Sequence, residues 1–260
     1  MNQVLPAPEP SDVGIVIALP IEADPIVELL HDVRTYSDPE GSNRSVTEGV
    51  LGAGGKTVVT LIVSGVGRNL ATKGARRLIG GHRPKWLLSA GFCGALDPTL
   101  KRNDIVFPTE ILDANRPDDP PLVIPFTPPE SSPSSKIRFR PGRLLTASKI
   151  VRTAAEKAAL RDRFAADVVD METAAVASLC ADRGQRFLAI RVVSDEADTD
   201  LPPEVLTVMG PTGGFRLGAT LGALMKRPSS VKDLWTLREH AVEASDRLAE
   251  VLPGILAQLS

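Results

Sequence analysis

Residues 168–177 read VVDMETAAVA. Two apolar β-branched residues, Val168 and Val169, predict a short buried strand. Asp170, Met171 and Glu172 come next, an acid, a methionine and a second acid. A run of small residues from Thr173 then predicts a helix over 172–183 that can lie close to a neighbour, with Gly184 ending it. A buried strand that passes over two acids directly into a helix is a junction of the kind that builds α/β sheets. Glu172 has an ordinary explanation, because an acid in a first helical turn is favoured by the helix dipole. That accounts for one acid. It does not account for a methionine held between two acids at a strand end.

The same alternation extends in both directions. Downstream, residues 187–193 (FLAIRVV) predict a strong strand that ends on Ser194-Asp195. Upstream, strands are predicted over 13–19, 57–64, 86–90, 104–107 and 144–147, and helices over 21–31, 69–81 and 149–164. Pro84 follows the second of these helices. Alternating buried strands and helices predict one α/β domain over 13–260, three-layered, with helices on both faces of a mixed, mostly parallel sheet. Ligands in such sheets bind beyond the carboxyl ends of the strands. Four polar or glycine-rich corners fall there: Pro20-Ile21-Glu22, the run 64–68 (SGVGR), the run 90–94 (AGFCG) with Gly91, and Ser194-Asp195. Glycine corners are common in α/β folds, and neither of these matches the full dinucleotide fingerprint. The helix start after Gly67 suits an anion or a hydroxyl. Arg68 either meets such an anion or stays solvated. Arg191, on a buried strand, is expected to pair with an acid of the site, because an unpaired buried cation is costly.

Bulk properties narrow the function classes. The chain has 260 residues, 43% of them hydrophobic, enough for a full core. Its formal net charge is -2, with 30 Lys and Arg against 32 Asp and Glu, so no basic footprint points to nucleic acid or to an acidic membrane. Two cysteines, Cys93 and Cys180, sit in apolar runs and are expected as buried free thiols. The three histidines are far apart and give no metal-ligand spacing. Residues 1–12 read as a flexible proline-rich arm without the features of a signal peptide, and no apolar run has the length of a membrane span, so a soluble cytoplasmic protein is expected. Residues 115–135, crowded with proline and serine, predict an extended surface loop inserted near the site. Residues 211–260 form a C-terminal segment that opens on a glycine cluster and holds an amphipathic helix over 232–252, expected to pack on the sheet.

Five stretches in order resemble the purine nucleoside phosphorylase and methylthioadenosine/S-adenosylhomocysteine nucleosidase superfamily. They are ALPIEAD (18–24), SGVGR (64–68), SAGFCGAL followed by LKRNDIV (89–106), VDMETAAVA (169–177) and FLAIRVVSDEAD (187–198). The resemblance implies the nucleoside phosphorylase type of fold and cleavage of a purine N-glycosidic bond, the purine being adenine, with no cofactor or metal. It gives Asp195 the proton delivered to purine N7, and Glu172 the ribose 2′- and 3′-hydroxyls, with Met171 packed on the sugar. Glu22 matches the acid that activates water in the nucleosidase branch. Ile150 falls where the family often stacks an aromatic ring on the purine, and the backbone of Val151 faces the base edge. Phe92 stands where nucleosidases usually carry serine. Gly91 and Ser194 complete the candidate lining. The resemblance also implies a homodimer or a larger homo-oligomer. Two rival readings stay open. One is a phosphorylase using phosphate, against which the carboxylate of Glu22 argues. The other is a non-catalytic nucleoside-binding protein, kept open by Phe92.

Overall fold

The computed structural model describes residues 9–36, 45–51, 57–127, 137–203, 205 and 229–259. In chain order these form β1 (Val13–Ile17), α1 (Pro20–Glu28), β2 (Leu30–Tyr36), β3 (Val46–Leu51), β4 (Thr57–Val63), α2 (Arg68–Gly81), β5 (Trp86–Ala95) and β6 (Ile105–Asp113). There follow β7 (Leu122–Val123), β8 (Phe139–Thr146), α3 (Ala154–Phe164), β9 (Val168–Asp170), α4 (Thr173–Arg183), β10 (Arg186–Asp195) and a C-terminal helix, α5 (Ser229–Leu259). The result is a mixed α/β domain built on one large sheet.

Parallel pairings join β1 to β4 and β5, β5 to β10, β8 to β6 and β8 to β9. Antiparallel pairings join β2 to β3, β3 to β4, β5 to β9, β6 to β10 and β6 to β7. Among the described strands the sheet is therefore mixed, with an antiparallel share larger than the sequence suggests. β10 pairs with both β5 and β6, so the path β5-β10-β6-β8-β9 returns to β5 as a closed ring. Alternate residues of β1 face two apolar cores, as period-two geometry demands. Ile15 and Ile17 pack with Ala23 and Ile26 of α1 and with Ala244 and Leu248 of α5. Val16 packs with Ala71, Ala75 and Leu78 of α2 and with Val176 and Cys180 of α4. Each large aliphatic side chain so buried contributes roughly 1.5–3 kcal/mol.

Several elements differ from the sequence reading. β2 and β3 were expected as no element. Residues 31–35 of β2 face solvent at the sheet edge, and their polar composition hides the strand. α1 stops at Glu28 instead of His31, because the chain turns at Leu29 into β2. β5 continues to Ala95, so the expected corner at Gly91-Phe92-Cys93-Gly94 lies inside a strand paired along its length with β10. α3 starts at Ala154, where Thr153 and Glu156 form a capping box, and not at Lys149. The start of the polypeptide is not a free arm up to residue 12. The Ser11 N–H donates to the His82 carbonyl at 2.8 Å, and Asp12 pairs with Lys85 at 2.7 Å.

The inserted loop is also more anchored than expected. β7 pairs with β6 within it, and the Phe126 ring lies 5.4 Å from that of Phe107 in the core. Residues 128–136 of that loop, and 211–228 of the C-terminal segment, lie outside the described residues. Both cysteines are free and buried, as expected. No described helix is long and apolar enough to cross a membrane.

Candidate active site

β1, β4, β5 and β10 run parallel through the middle of the sheet and deliver their carboxyl ends to one side. Glu22 sits in the first turn of the helix that follows β1. Leu19 is the N-cap of that helix, with proline in its first turn, and the Glu22 side chain reaches back to the cap. Glu22 Oε2 accepts the Leu19 N–H at 2.8 Å, and Oε1 accepts the Phe92 N–H at 2.8 Å. The side chain is only 3% exposed. Burial pushes its carboxyl above the usual range, while the Phe92 and Leu19 N–H groups and the charge of Arg191 act in the other direction.

Gly91 explains how Glu22 reaches β5. Its φ is +151°, and a Cβ there would stand 2.7 Å from Glu22 Oε1. Any side chain at 91 would occupy the place of the carboxylate. The other glycine corner does parallel work. Gly67, at φ +98°, donates its N–H to Glu172 Oε1 at 2.7 Å. The acceptor at the start of α2 is thus a carboxyl group of the protein itself.

Glu172 is the N-cap of α4 by position, yet its side chain makes no cap hydrogen bond. The ordinary explanation offered by the sequence therefore does not hold. The capping is done by Asp170, whose Oδ2 accepts the Thr173 N–H at 2.9 Å and the Thr173 hydroxyl at 2.5 Å. Glu172 is released to cross to Gly67, 105 residues away in sequence. Burial, and next the charge of Asp170, push the Glu172 carboxyl up to about 8, against the pull of Arg191 and of the Gly67 N–H.

Arg191 is 2% exposed and pairs with Asp170 Oδ2 at 2.8 Å, as a buried arginine must pair. Its Nη2 also donates to Ser89 Oγ at 2.7 Å and to Thr173 Oγ1 at 2.6 Å. One recess is lined by Glu22, Ser89, Gly91, Phe92, Glu172 and Arg191. Three acids, Glu22, Asp170 and Glu172, thus share one buried guanidinium.

The remaining candidates do not line this recess. Asp195 ends β10 opposite Gly94, four residues beyond Arg191 opposite Gly91, with a bulge between Val193 and Asp195. The bulge sets those four residues of β10 against three of β5, a rise of about 10 Å along the sheet. The Ser194 hydroxyl donates to Asp195 Oδ1 at 2.7 Å. Met171 is partly buried between the two acids of its motif. Ile150 and Val151 lie in the irregular stretch before α3, where Val151 packs against Leu145, Ala147 and Val169. Arg68 does not line the recess, because it pairs with Asp113.

Two functional-looking residues escaped the sequence reading. Asp170 appeared there only as half of a motif. Its position at the end of a buried strand was the available signal. Lys157 is fully buried, with its ammonium 2.6 Å from Asp195 Oδ2. Its signal was helical spacing, since it shares a face of α3 with Leu160 and Phe164.

The family model described as Phosphorylase superfamily matches residues 12–210. A curated relative, the 5′-methylthioadenosine/S-adenosylhomocysteine nucleosidase of Baumannia cicadellinicola, is 28% identical over 163 residues, 56% of this chain and 71% of the relative. Among solved structures, the Helicobacter pylori 5′-methylthioadenosine/S-adenosylhomocysteine nucleosidase superposes with a TM-score of 0.67 at 20% identity, over 98% of this chain and 100% of its own. The futalosine hydrolase of the same organism superposes at 0.66 and 20% identity, covering 97% of this chain and 98% of its own.

Proposed function

Because this chain belongs to the phosphorylase superfamily, we propose that it hydrolyses the N-glycosidic bond of an adenine nucleoside, releasing free base and sugar. The observation that carries the reading is the pair of carboxyl groups, Glu22 held by the Phe92 N–H inside β5 and Glu172 held by the Gly67 N–H at the start of α2, both opening on one recess. The curated relative that is 28% identical bears the name of a nucleosidase of this kind. The domain is read as three layers, with α1 and α5 on one face of the sheet and α2 and α4 on the other. The protein is read as acting in the cytoplasm as a homodimer or larger homo-oligomer, without a cofactor.

In this reading the C1′–N9 bond breaks and its electron pair goes to the purine, which takes a proton at N7 from Asp195. The sugar becomes cationic at C1′. Water adds there as Glu22 accepts its proton. A base works best when its proton affinity is near the operating pH, and the upward shift at Glu22 moves it in that direction. Glu172 and Met171 hold the sugar, and Ile150, the Val151 backbone and Phe92 hold the base. Ser194 and Gly91 keep the two acids in place. The roughly 10 Å between the Arg191 and Asp195 levels leaves room for a sugar near Glu22 and a base near Asp195.

The test is to incubate the protein with methylthioadenosine, adenosine and inosine, with and without phosphate, and to identify both products. Free base and free sugar at a rate independent of phosphate are expected. A sugar 1-phosphate as main product would establish phosphorolysis, and no product from any nucleoside would favour a binding protein.

Glu172 yields a separate prediction. Its carboxyl goes from about 4.5 in the unfolded chain to about 8 in the folded one. Between these values the folded state holds more protons, so stability is full below the lower value and is lost as pH rises to the upper one. Glu172→Gln removes that loss. The melting temperature of the variant should gain on wild type as pH goes from 5 to 8, while turnover falls more on ribosides than on 2′-deoxyribosides. A gap in melting temperature that does not change with pH, with equal losses on both sugars, would refute the assignment.

A further inference from the structure

We propose that Lys157 is a positioning residue for the leaving-group step, its ammonium holding Asp195 and neutralising the carboxylate that forms when the purine takes its proton. This rests on the reading of Asp195 as the acid. Lys157 is the one buried residue of α3, 0% exposed. It belongs to the face that carries Leu160 and Phe164 into an apolar cluster with Leu145, Ala166 and Val169. An ammonium on such a face is costly unless paired. Its Nζ donates to the carbonyls of Glu196 at 2.5 Å and Thr199 at 2.9 Å. The same ammonium stands 2.6 Å from Asp195 Oδ2 as an ion pair.

Two carbonyls alone do not require a charge, since a neutral amide satisfies them equally. The carboxylate does require one. Asp195 is otherwise held by the Ser194 hydroxyl on Oδ1 and faces the bare backbone of Gly94, where an added Cβ would stand 3.1 Å from Oδ2. The carboxyl is thus confined on three sides, with the cation on one of them.

The proton balance is simple. As the C1′–N9 bond breaks, its electron pair goes to the base, and the proton of the Asp195 carboxyl passes to N7. Asp195 is left as a carboxylate beside the Lys157 ammonium, which keeps all its protons throughout. After the base departs, solvent returns a proton to Asp195. Protonating Asp195 beside the ammonium breaks the resting ion pair, and transfer of that proton to N7 re-forms it, so Lys157 favours the transfer and stabilises the carboxylate that is regenerated as the purine leaves.

The experiment compares Lys157→Gln with wild type on two substrates. One is methylthioadenosine. The other is 4-nitrophenyl β-D-ribofuranoside, whose nitrophenolate departs without a proton. Glutamine can still donate to both carbonyls but carries no charge. On methylthioadenosine kcat should fall at least about tenfold with KM little changed, and on the nitrophenyl riboside it should stay within about twofold. The double variant Lys157→Gln/Asp195→Asn should be no slower than Asp195→Asn alone, because Lys157 acts only through that carboxyl. Equal losses on both substrates, additive losses in the double variant, or wild-type kcat in the Gln variant would each make Lys157 a structural tie and overturn the proposal. Lys157→Met serves for the same comparison if the Gln variant does not fold. Wild-type protein that cleaves neither substrate would instead refute the glycosidase reading itself, so the two failures are distinct.

Discussion

Asp195→Asn lowers turnover of methylthioadenosine by about a hundredfold or more, the scale expected when a positioned general acid is lost. The amide keeps the shape of the carboxyl and its contact with the Ser194 hydroxyl, which now stands 2.7 Å from Oδ1. It has no acidic proton for purine N7, so the base must leave as an anion. The loss should appear in kcat, with KM for the nucleoside nearly unchanged, since the proton moves only in the transition state. Substrates whose leaving group needs no proton should be spared. The substitution has a second consequence. Lys157, fully buried, is left facing an amide in place of its counter-ion. Removing one partner of a buried pair is destabilising, by about 3–5 kcal/mol in comparable cases. The variant therefore melts at a lower temperature, and its kinetics should be measured well below that point. An Asn variant with wild-type kcat on methylthioadenosine would remove Asp195 from the mechanism.

The parts of this architecture that the sequence reveals are those in which local pattern and burial agree. β1, β4, β5 and β10 are buried on both faces and read as continuous apolar runs, so their presence and the corners that follow them are legible in composition. Glu22, Glu172 and Asp195 stand out because each is an acid where such a run stops. β2 does not stand out, because an edge strand facing solvent has the composition of a loop. The ring closed by β10 is equally hidden, since it depends on pairing between strands distant in sequence.

The division of labour between Asp170 and Glu172 could not be read either. Both are acids at a helix start, and only geometry tells that Asp170 caps the helix and binds Arg191 while Glu172 is released to Gly67. The two glycine corners illustrate the same point. Each looked like a cradle for a ligand, and each in fact brings a backbone N–H to a carboxylate of the protein: directly at Gly67, and through its neighbour Phe92 at Gly91. The pairing of Lys157 with Asp195 bridges α3 and β10, and helical spacing alone indicates only that the lysine faces inward.

Glu22→Gln abolishes most hydrolysis while leaving nucleoside binding largely intact. Water is a poor nucleophile at neutral pH and needs a base to take its proton as the sugar cation develops. Phosphate is already anionic, needs no such base, and is repelled by a carboxylate. An acid at this corner therefore favours water over phosphate, and its removal separates the two reactions.

The amide is not a perfect replacement. Glu22 accepts N–H groups on both oxygens, from Leu19 and from Phe92. Glutamine has only one acceptor, so one of these N–H groups loses its partner, at a cost of about 1–3 kcal/mol. The start of α1 is weakened, and the folded fraction must be established before rates are compared. Binding is checked by titrating folded variant with methylthioadenosine, with catalysis followed as release of adenine. Retained affinity with lost turnover is the expected result, because the proposed role of Glu22 is toward the water and not the base. If the folded variant hydrolysed at the wild-type rate, Glu22 would be a structural clamp between α1 and β5 and nothing more. If it instead gained a phosphate-dependent reaction, the carboxylate would be shown to select the nucleophile by charge, since the change removes one negative charge beside Arg191, itself 2% exposed, and leaves the rest of the recess in place.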